Sequence, residues 1–157
     1  MGTFRTYQSP MRLSGVNKRE TRSQFAALPF RWRKSELELL LISSLDTKRW
    51  IIPKGWPIHD HTPAEAAARE AWEEAGVRGL VGETCVGFYS YNKRLPDGGG
   101  IPCIVAVFPL EVRKLDKDYP EAGKRRLKWM PQRKAALRVE EPDLQKILRN
   151  FSPEVLI

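Results

Sequence analysis

The sequence is poor in the residues that tie small proteins together through disulfides or zinc. Its 157 residues include two cysteines and two histidines. Cys85 and Cys103 stand apart, each within an apolar, strand-like run, and neither belongs to a C-x-x-C pair. Isolated cysteines of this kind read as buried free thiols rather than a disulfide scaffold or zinc site. They point to a reducing, cytoplasmic setting. No apolar run approaches the ~20 residues of a membrane-spanning helix, and the N-terminus lacks the apolar stretch of a secretory signal. Acidic residues are in the minority, 19 against 27 Lys and Arg, which leaves a net charge of +8 and a pI near 9.7. That balance favours anionic partners: nucleic acid, a membrane surface or a highly phosphorylated small molecule.

What is present suits one ordinary domain, with 41% hydrophobic and 10% aromatic residues. Residues 1–24 carry Arg5, Arg12, Lys18, Arg19 and Arg22 against the single acid Glu20, without apolar periodicity. They read as a basic, mobile tail ahead of a domain over 25–157. An arginine-rich, acid-poor start also has the composition of a transit peptide. Within the domain, Phe25–Phe30, Leu37–Ile42 and Trp50–Ile52 read as strands. Val81–Tyr91 reads as one strand with a bulge at Gly87. A turn-rich hairpin loop over Lys93–Gly100 leads to a strand over Ile101–Val112. A charged loop over Arg113–Lys128 precedes a short strand over Leu127–Met130. Pro131 opens a short helix to Leu137, and a last amphipathic helix over Glu141–Phe151 turns Leu144, Ile147, Leu148 and Phe151 inward.

The stretch from Gly55 to Val77, GWPIHDHTPAEAAAREAWEEAGV, is the most informative. Thr62 is a good N-cap, Pro63 fits the first helical position, and Glu65 can close a capping box. Gly76 follows as a C-cap glycine. On that helix Ala64, Ala68, Ala71, Trp72 and Ala75 share one face, which can press closely against a sheet. Glu70, Glu73 and Glu74 crowd another, and such carboxylates repel one another unless a cation sits among them. A hard divalent metal would serve, as would plain solvation.

This stretch resembles the Nudix box, G-x5-E-x7-R-E-U-x-E-E-x-G-U, the signature of hydrolases that cleave diphosphate linkages. Gly55, Arg69, Glu70, Glu73, Glu74, Gly76 and Val77 fall in register, and the flanking Pro53-Lys54-Gly55 is typical of the family. His61 replaces the first glutamate of the box, and Ala71 replaces a bulkier apolar residue. The resemblance covers about Phe25 to Phe151. It implies an α/β/α sandwich with a mixed sheet between helices.

It also implies a divalent cofactor, Mg²⁺ with Mn²⁺ as the alternative, with Glu70, Glu73 and Glu74 as ligands. Glu70 is then the base or its orienting group, and Arg69 holds Glu70 by a charge-assisted hydrogen bond. Gly55 gives the loop freedom near phosphates, and Lys54 touches one. His61 has no carboxylate. It is left to bond loop backbone or, if protonated, to approach phosphate. Family members that use a further acid outside the box suggest Glu121 as base or additional ligand.

The box does not name the group attached to the diphosphate. Many basic side chains surround the expected site. Arg31, Arg33, Lys54, Lys93, Arg125 and Arg126 are the candidate substrate ligands, with Lys48, Arg49, Arg94, Lys124 and Lys128 beside them. Together with Gly87-Phe88-Tyr89 and Gly123-Lys124-Arg125-Arg126 ahead of Trp129, they resemble the diphosphoinositol and diadenosine polyphosphate phosphohydrolase branch. The alternatives are a pyrophosphohydrolase of nucleotide sugars, nucleoside triphosphates or RNA 5′ ends, with Trp32, Trp56, Tyr89 and Tyr91 as stacking candidates. A weakly catalytic ligand-binding sensor is the third reading. A membrane partner is not expected, and a nucleic-acid partner is not favoured, because no binding motif or basic helix stands out.

Overall fold

The fold is described from a computed structural model over residues 22–153. The tail read over residues 1–24 lies outside the described residues as far as position 21, and Arg22 already begins the first strand. The elements follow in the order β1 (Arg22–Arg33), β2 (Glu36–Ser43), β3 (Trp50–Ile51), β4 (Lys54–Gly55), α1 (Pro63–Ala75) and β5 (Val77–Val81). Then come β6 (Gly87–Arg94), β7 (Gly100–Leu115), β8 (Leu127–Pro131), α2 (Gln132–Arg138) and α3 (Pro142–Asn150).

All eight strands form one mixed sheet centred on β7. Along one edge β7 runs parallel to β1, Arg22 opposite Cys103 through Phe30 opposite Glu111. Its other edge is shared by two antiparallel partners, β6 along Gly100–Val107 and β5 along Leu110–Leu115. The free edge of β1 is divided in the same way. It pairs with β4 at Phe25 and Ala26 and with β2 from Phe30 onward.

Strand side chains alternate between two faces. Leu28, Leu39, Leu41, Val105 and Val107 meet the buried side chains of α2 and α3, including Ala135, Leu144 and Leu148. Leu40, Ile42, Ala106, Phe108 and Leu110 meet Ala64, Ala67, Ala71 and Ala75 of α1. Helices therefore cover both faces, giving the α/β/α sandwich the pattern implied. No helix among the described residues is long and apolar enough to cross a membrane.

The single strand expected over Val81–Tyr91 is two strands. Both lie on the same edge of β7, so the chain steps along that edge between them. Gly82 N–H donates to the Pro109 carbonyl at 2.8 Å, and Val86 N–H to the Val107 carbonyl at 2.8 Å. The irregularity expected at Gly87 sits instead between Arg78 and Gly79.

α1 has the expected bounds. Thr62 Oγ1 accepts from Glu65 N–H at 3.1 Å, Glu65 Oε1 accepts from Thr62 N–H at 3.3 Å, and Gly76 closes the helix with φ of 70°. Thr62→Ala removes the side-chain half of this box. It should cost about 1 kcal/mol in chemical denaturation, whereas an unchanged midpoint would mean that tertiary packing alone fixes the helix start.

Candidate active site

The alanine face lets α1 sit close against β1, β4 and β5. Its buried set is Ala64, Ala66, Ala67, Ala71 and Ala75 together with Glu74. Ala68 and Trp72, expected to face inward, are only half-buried. The Trp72 indole N–H instead donates to Asp116 Oδ2 at 3.1 Å, and the Arg69 and Arg78 guanidinium groups flank its ring. Glu74 is thus the buried carboxylate of α1, with Glu70 half-buried one turn before it.

Two short segments lock onto those carboxylates. β4 is placed by its pairing with β1, reinforced by Ala27 N–H donating to the Pro53 carbonyl at 3.0 Å. From there Lys54 N–H donates to Glu74 Oε2 at 3.2 Å. Gly55 packs against Glu70 so tightly that a Cβ there would overlap the carboxyl group. The second segment is the loop over residues 116–126. Glu121 N–H donates to the Glu73 carbonyl at 3.0 Å, and Asp116 N–H to the Gly76 carbonyl at 2.7 Å, which seats the loop on the end of α1.

Arg125 joins these pieces. Its Nη2 lies 3.5 Å from Glu74 Oε1 and 3.3 Å from Glu121 Oε1, while Nη1 donates to the Ser43 carbonyl at 3.1 Å. Its side chain is only 8% exposed.

Burial without full compensation marks the cluster electrostatically. Burial pushes Glu70 up to about 7, with Glu73 and Glu121 adding to the rise and Arg125 and Arg69 opposing it. Burial also pushes Glu74 up to about 7, against the pull of Arg125 and Lys54. Lys54 is held below the usual lysine range by burial, although Glu74 works the other way.

The consequence for stability has a definite sign. A carboxyl raised from 4.5 to about 7 holds its proton longer when folded, so its charge weakens the fold as pH rises through that window. Metal-free Glu70→Gln should therefore melt higher than wild type at pH 8. After allowance for solvent screening, the gain is about 1 kcal/mol, or about 3 °C. It should vanish near pH 4.5. Equal melting temperatures at pH 8 would contradict an uncompensated Glu70.

The other expected residues divide clearly. Lys54 and Lys93 line a cavity of about 610 Å³ beside Glu74 and Arg125, together with Arg49, Tyr91, Arg94 and Glu141. Lys93 Nζ lies 4.9 Å above the Trp56 ring, and Lys54 Nζ 4.8 Å above that of Tyr91. Arg31 and Arg33 do not belong there. Arg31 lies five residues along β1 from the residue opposite Lys54, about 17 Å away at strand rise. It pairs with Glu38 at 2.8 Å and stacks on Trp129. Arg126 lies over Trp50, outside the cavity lining.

Arg69 bonds Glu73 at 2.8 Å rather than Glu70, because Glu73 is its i,i+4 neighbour while Glu70 faces Gly55. His61 is exposed, with Nδ1 2.8 Å from the His59 carbonyl oxygen. Gln24 and Glu141 escaped sequence reasoning. Gln24 Oε1 accepts from the Tyr91 hydroxyl at 2.6 Å, and Glu141 Oε1 meets Arg49 Nη1 at 2.5 Å, both on the cavity wall. By sequence Gln24 falls in the tail and Glu141 at a helix start, and no local pattern links either to the cavity.

Among the described residues, no three Asp, Glu, His or Cys side chains converge tightly enough to enclose an ion. Glu73 is turned to Arg69 and Glu74 to Arg125. The donor chemistry nevertheless suits a hard cation: the groups are carboxylates on adjacent turns, and burial pushes two of them up to about 7.

A mixed sheet between helices, with a carboxylate-bearing helix docked on a glycine loop, defines the class of architecture. The NUDIX domain model matches residues 21–153, and the chain belongs to the Nudix family. It is similar to Nudix hydrolase 13, mitochondrial, of Arabidopsis thaliana, at 32% identity over 125 residues, 75% of this chain and 61% of that protein. It is also similar to diphosphoinositol polyphosphate phosphohydrolase 3-alpha of Homo sapiens, at 40% identity over 68 residues, 43% of this chain and 41% of that protein. The chain thus spans about three-fifths of the first of these relatives. Among solved structures, C. elegans Ap4A hydrolase shares the fold, with a TM-score of 0.60 at 19% identity over 86% of this chain and 98% of that one.

Proposed function

We propose that the chain is a metal-dependent hydrolase of diphosphate linkages acting on a highly anionic substrate, of the diphosphoinositol or diadenosine polyphosphate class. The observation that carries this reading is the junction of two opposite environments. Glu70 and Glu74, held near 7, meet a cavity whose wall supplies Lys54, Lys93, Arg94 and Arg49. The cationic wall binds phosphates and orients them toward the helix. Glu70, Glu73 and Glu74 would hold Mg²⁺ or Mn²⁺, which when bound would neutralise phosphate charge and acidify a water. Glu70 is the first candidate to accept a proton from that water at its carboxyl oxygen. Glu121, within electrostatic reach of Glu70, is the second candidate for that role. Arg69 fixes Glu73, and Lys54 ties substrate contact to the backbone bond that holds Glu74.

Trp56 suits a nucleoside-bearing substrate, which a diadenosine polyphosphate already is and which keeps nucleotide sugars, nucleoside triphosphates or RNA 5′ ends as the second reading. Its ring is 37% exposed, follows Gly55 directly and lies under Lys93, where a base could stack. The free thiols of Cys85 and Cys103 support a reducing compartment such as the cytoplasm. The mitochondrial label of the Arabidopsis relative makes an organelle the competing location.

Initial rates on diphosphoinositol polyphosphates, diadenosine polyphosphates, ADP-ribose, nucleoside triphosphates and triphosphorylated RNA test the assignment. A clear lead for either polyphosphate supports the reading, and a lead for any of the others overturns the substrate class. His61→Glu restores the box carboxylate at an exposed position, so turnover should stay equal or rise. Collapse of activity in that variant would give His61 a role of its own.

A further inference from the structure

Arg125 occupies the position where positive charge is most needed. Its guanidinium group contacts one carboxylate on α1, Glu74, and one on the loop over residues 116–126, Glu121. Both contacts are long, 3.5 Å and 3.3 Å, against the usual ~2.8 Å of a charge-assisted hydrogen bond. The side chain is more than nine-tenths buried, and its Nε has no hydrogen-bond partner. It also lines the cavity beside Lys54 and Glu74. A buried guanidinium with loose contacts and an unmet donor is a cation held by charge rather than by a fitted set of bonds. Its shortest contact, 3.1 Å, is made by Nη1 to the neutral Ser43 carbonyl, while Nη2 alone faces both carboxylates.

We propose that Arg125 is the site's internal counter-cation: it holds Glu74 and Glu121 in place of the divalent metal, and the metal binds by displacing it from them. Arg125 is therefore a positioning residue that lowers metal affinity and keeps the metal-free fold intact. This rests on the proposed activity in one respect, that the helix carboxylates take a divalent ion. Two like-charged occupants cannot share Glu74 cheaply, because each is repelled by the other at contact distance. When the ion enters, the Glu74 and Glu121 contacts of Arg125 open, and its unmet Nε becomes available to the cavity beside Lys54. The Arg69–Glu73 pair cannot do the same, since it lies on the exposed flank of the helix.

Isothermal titration of Mn²⁺ into the full chain tests this without any substrate. Arg125→Gln should bind Mn²⁺ about tenfold more tightly than wild type, with a correspondingly larger metal-induced rise in melting temperature. Arg125→Lys, which keeps the charge, should stay near wild type. A second measurement needs no variant. The Arg125 Nε–H resonance of the wild-type protein should shift or broaden on saturation with Mg²⁺, and a resonance that does not move overturns the proposal. Equal or weaker Mn²⁺ binding by Arg125→Gln also overturns it, leaving the activity assignment intact. Absence of binding to both wild type and Arg125→Gln overturns the metal-dependent activity and this role together.

Discussion

Glu74→Gln is expected to lower turnover at least about a thousandfold, about 4 kcal/mol in the barrier, while leaving the fold in place. The carboxylate is buried at the point where α1, β4 and the 116–126 loop meet, so its charge serves the chemistry and its shape serves the packing. Glutamine keeps the shape. Its amide oxygen still accepts the Lys54 N–H, and Arg125 keeps Glu121 and the Ser43 carbonyl as partners. What disappears is the negative charge that would hold a divalent ion. Circular dichroism should match wild type and the metal-free melting temperature at pH 8 should be no lower, since the charge lost is one that burial disfavours, while kcat falls. Full activity in a folded variant would remove Glu74 from the list of metal ligands.

Gly55→Ala is the second large effect, and its profile distinguishes a site glycine from a packing glycine. A Cβ at position 55 would overlap the Glu70 carboxyl, the end of a side chain that can swing away. The cost to stability should be small, about 1 kcal/mol, because the clash is relieved by a rotamer change. The cost to activity should be large, about a hundredfold, because relief moves Glu70 out of register with Glu73 and Glu74. Gly79 behaves differently. A Cβ there would meet the Glu111 backbone carbonyl of β7, which has no rotamer to relax. A Gly55→Ala enzyme with wild-type kcat would show that the position of Glu70 is unimportant.

The contrast bears on how much was legible in the sequence. The ends of α1 and the clustering of its acids could be read from neighbours within the helix: Thr62, Pro63 and Glu65 define its start, Gly76 its end, and the 3.6-residue repeat the crowding of Glu70, Glu73 and Glu74. The central strands were legible for the same reason. Their apolar runs in β2 and β7 are strong, broken in β2 only by Glu38. What was hidden depends on partners far along the chain. Val77–Val81 forms a strand because β7 continues past Val107 and offers it an edge, which Val77-Arg78-Gly79-Leu80-Val81 does not announce by itself. Gln24 reaches the cavity because β1 begins at Arg22 and runs beside β7.

Arginine roles were the least legible. Arg31, Arg33, Arg125 and Arg126 look alike as basic residues. Strand register sends Arg31 to Glu38, and the 116–126 loop buries Arg125 among carboxylates. The resemblance pairs Arg69 with Glu70, its neighbour in sequence, whereas helical spacing puts it beside Glu73 and Glu70 faces Gly55 instead.

The most direct test of the central claim is phosphate release from a diphosphate-bearing substrate by wild type and Glu74→Gln side by side, with and without Mg²⁺. Turnover that needs the metal in wild type and is lost in the variant is the result expected. Turnover that persists without metal, or survives the loss of the Glu74 charge, would contradict a metal-dependent site built on the α1 carboxylates.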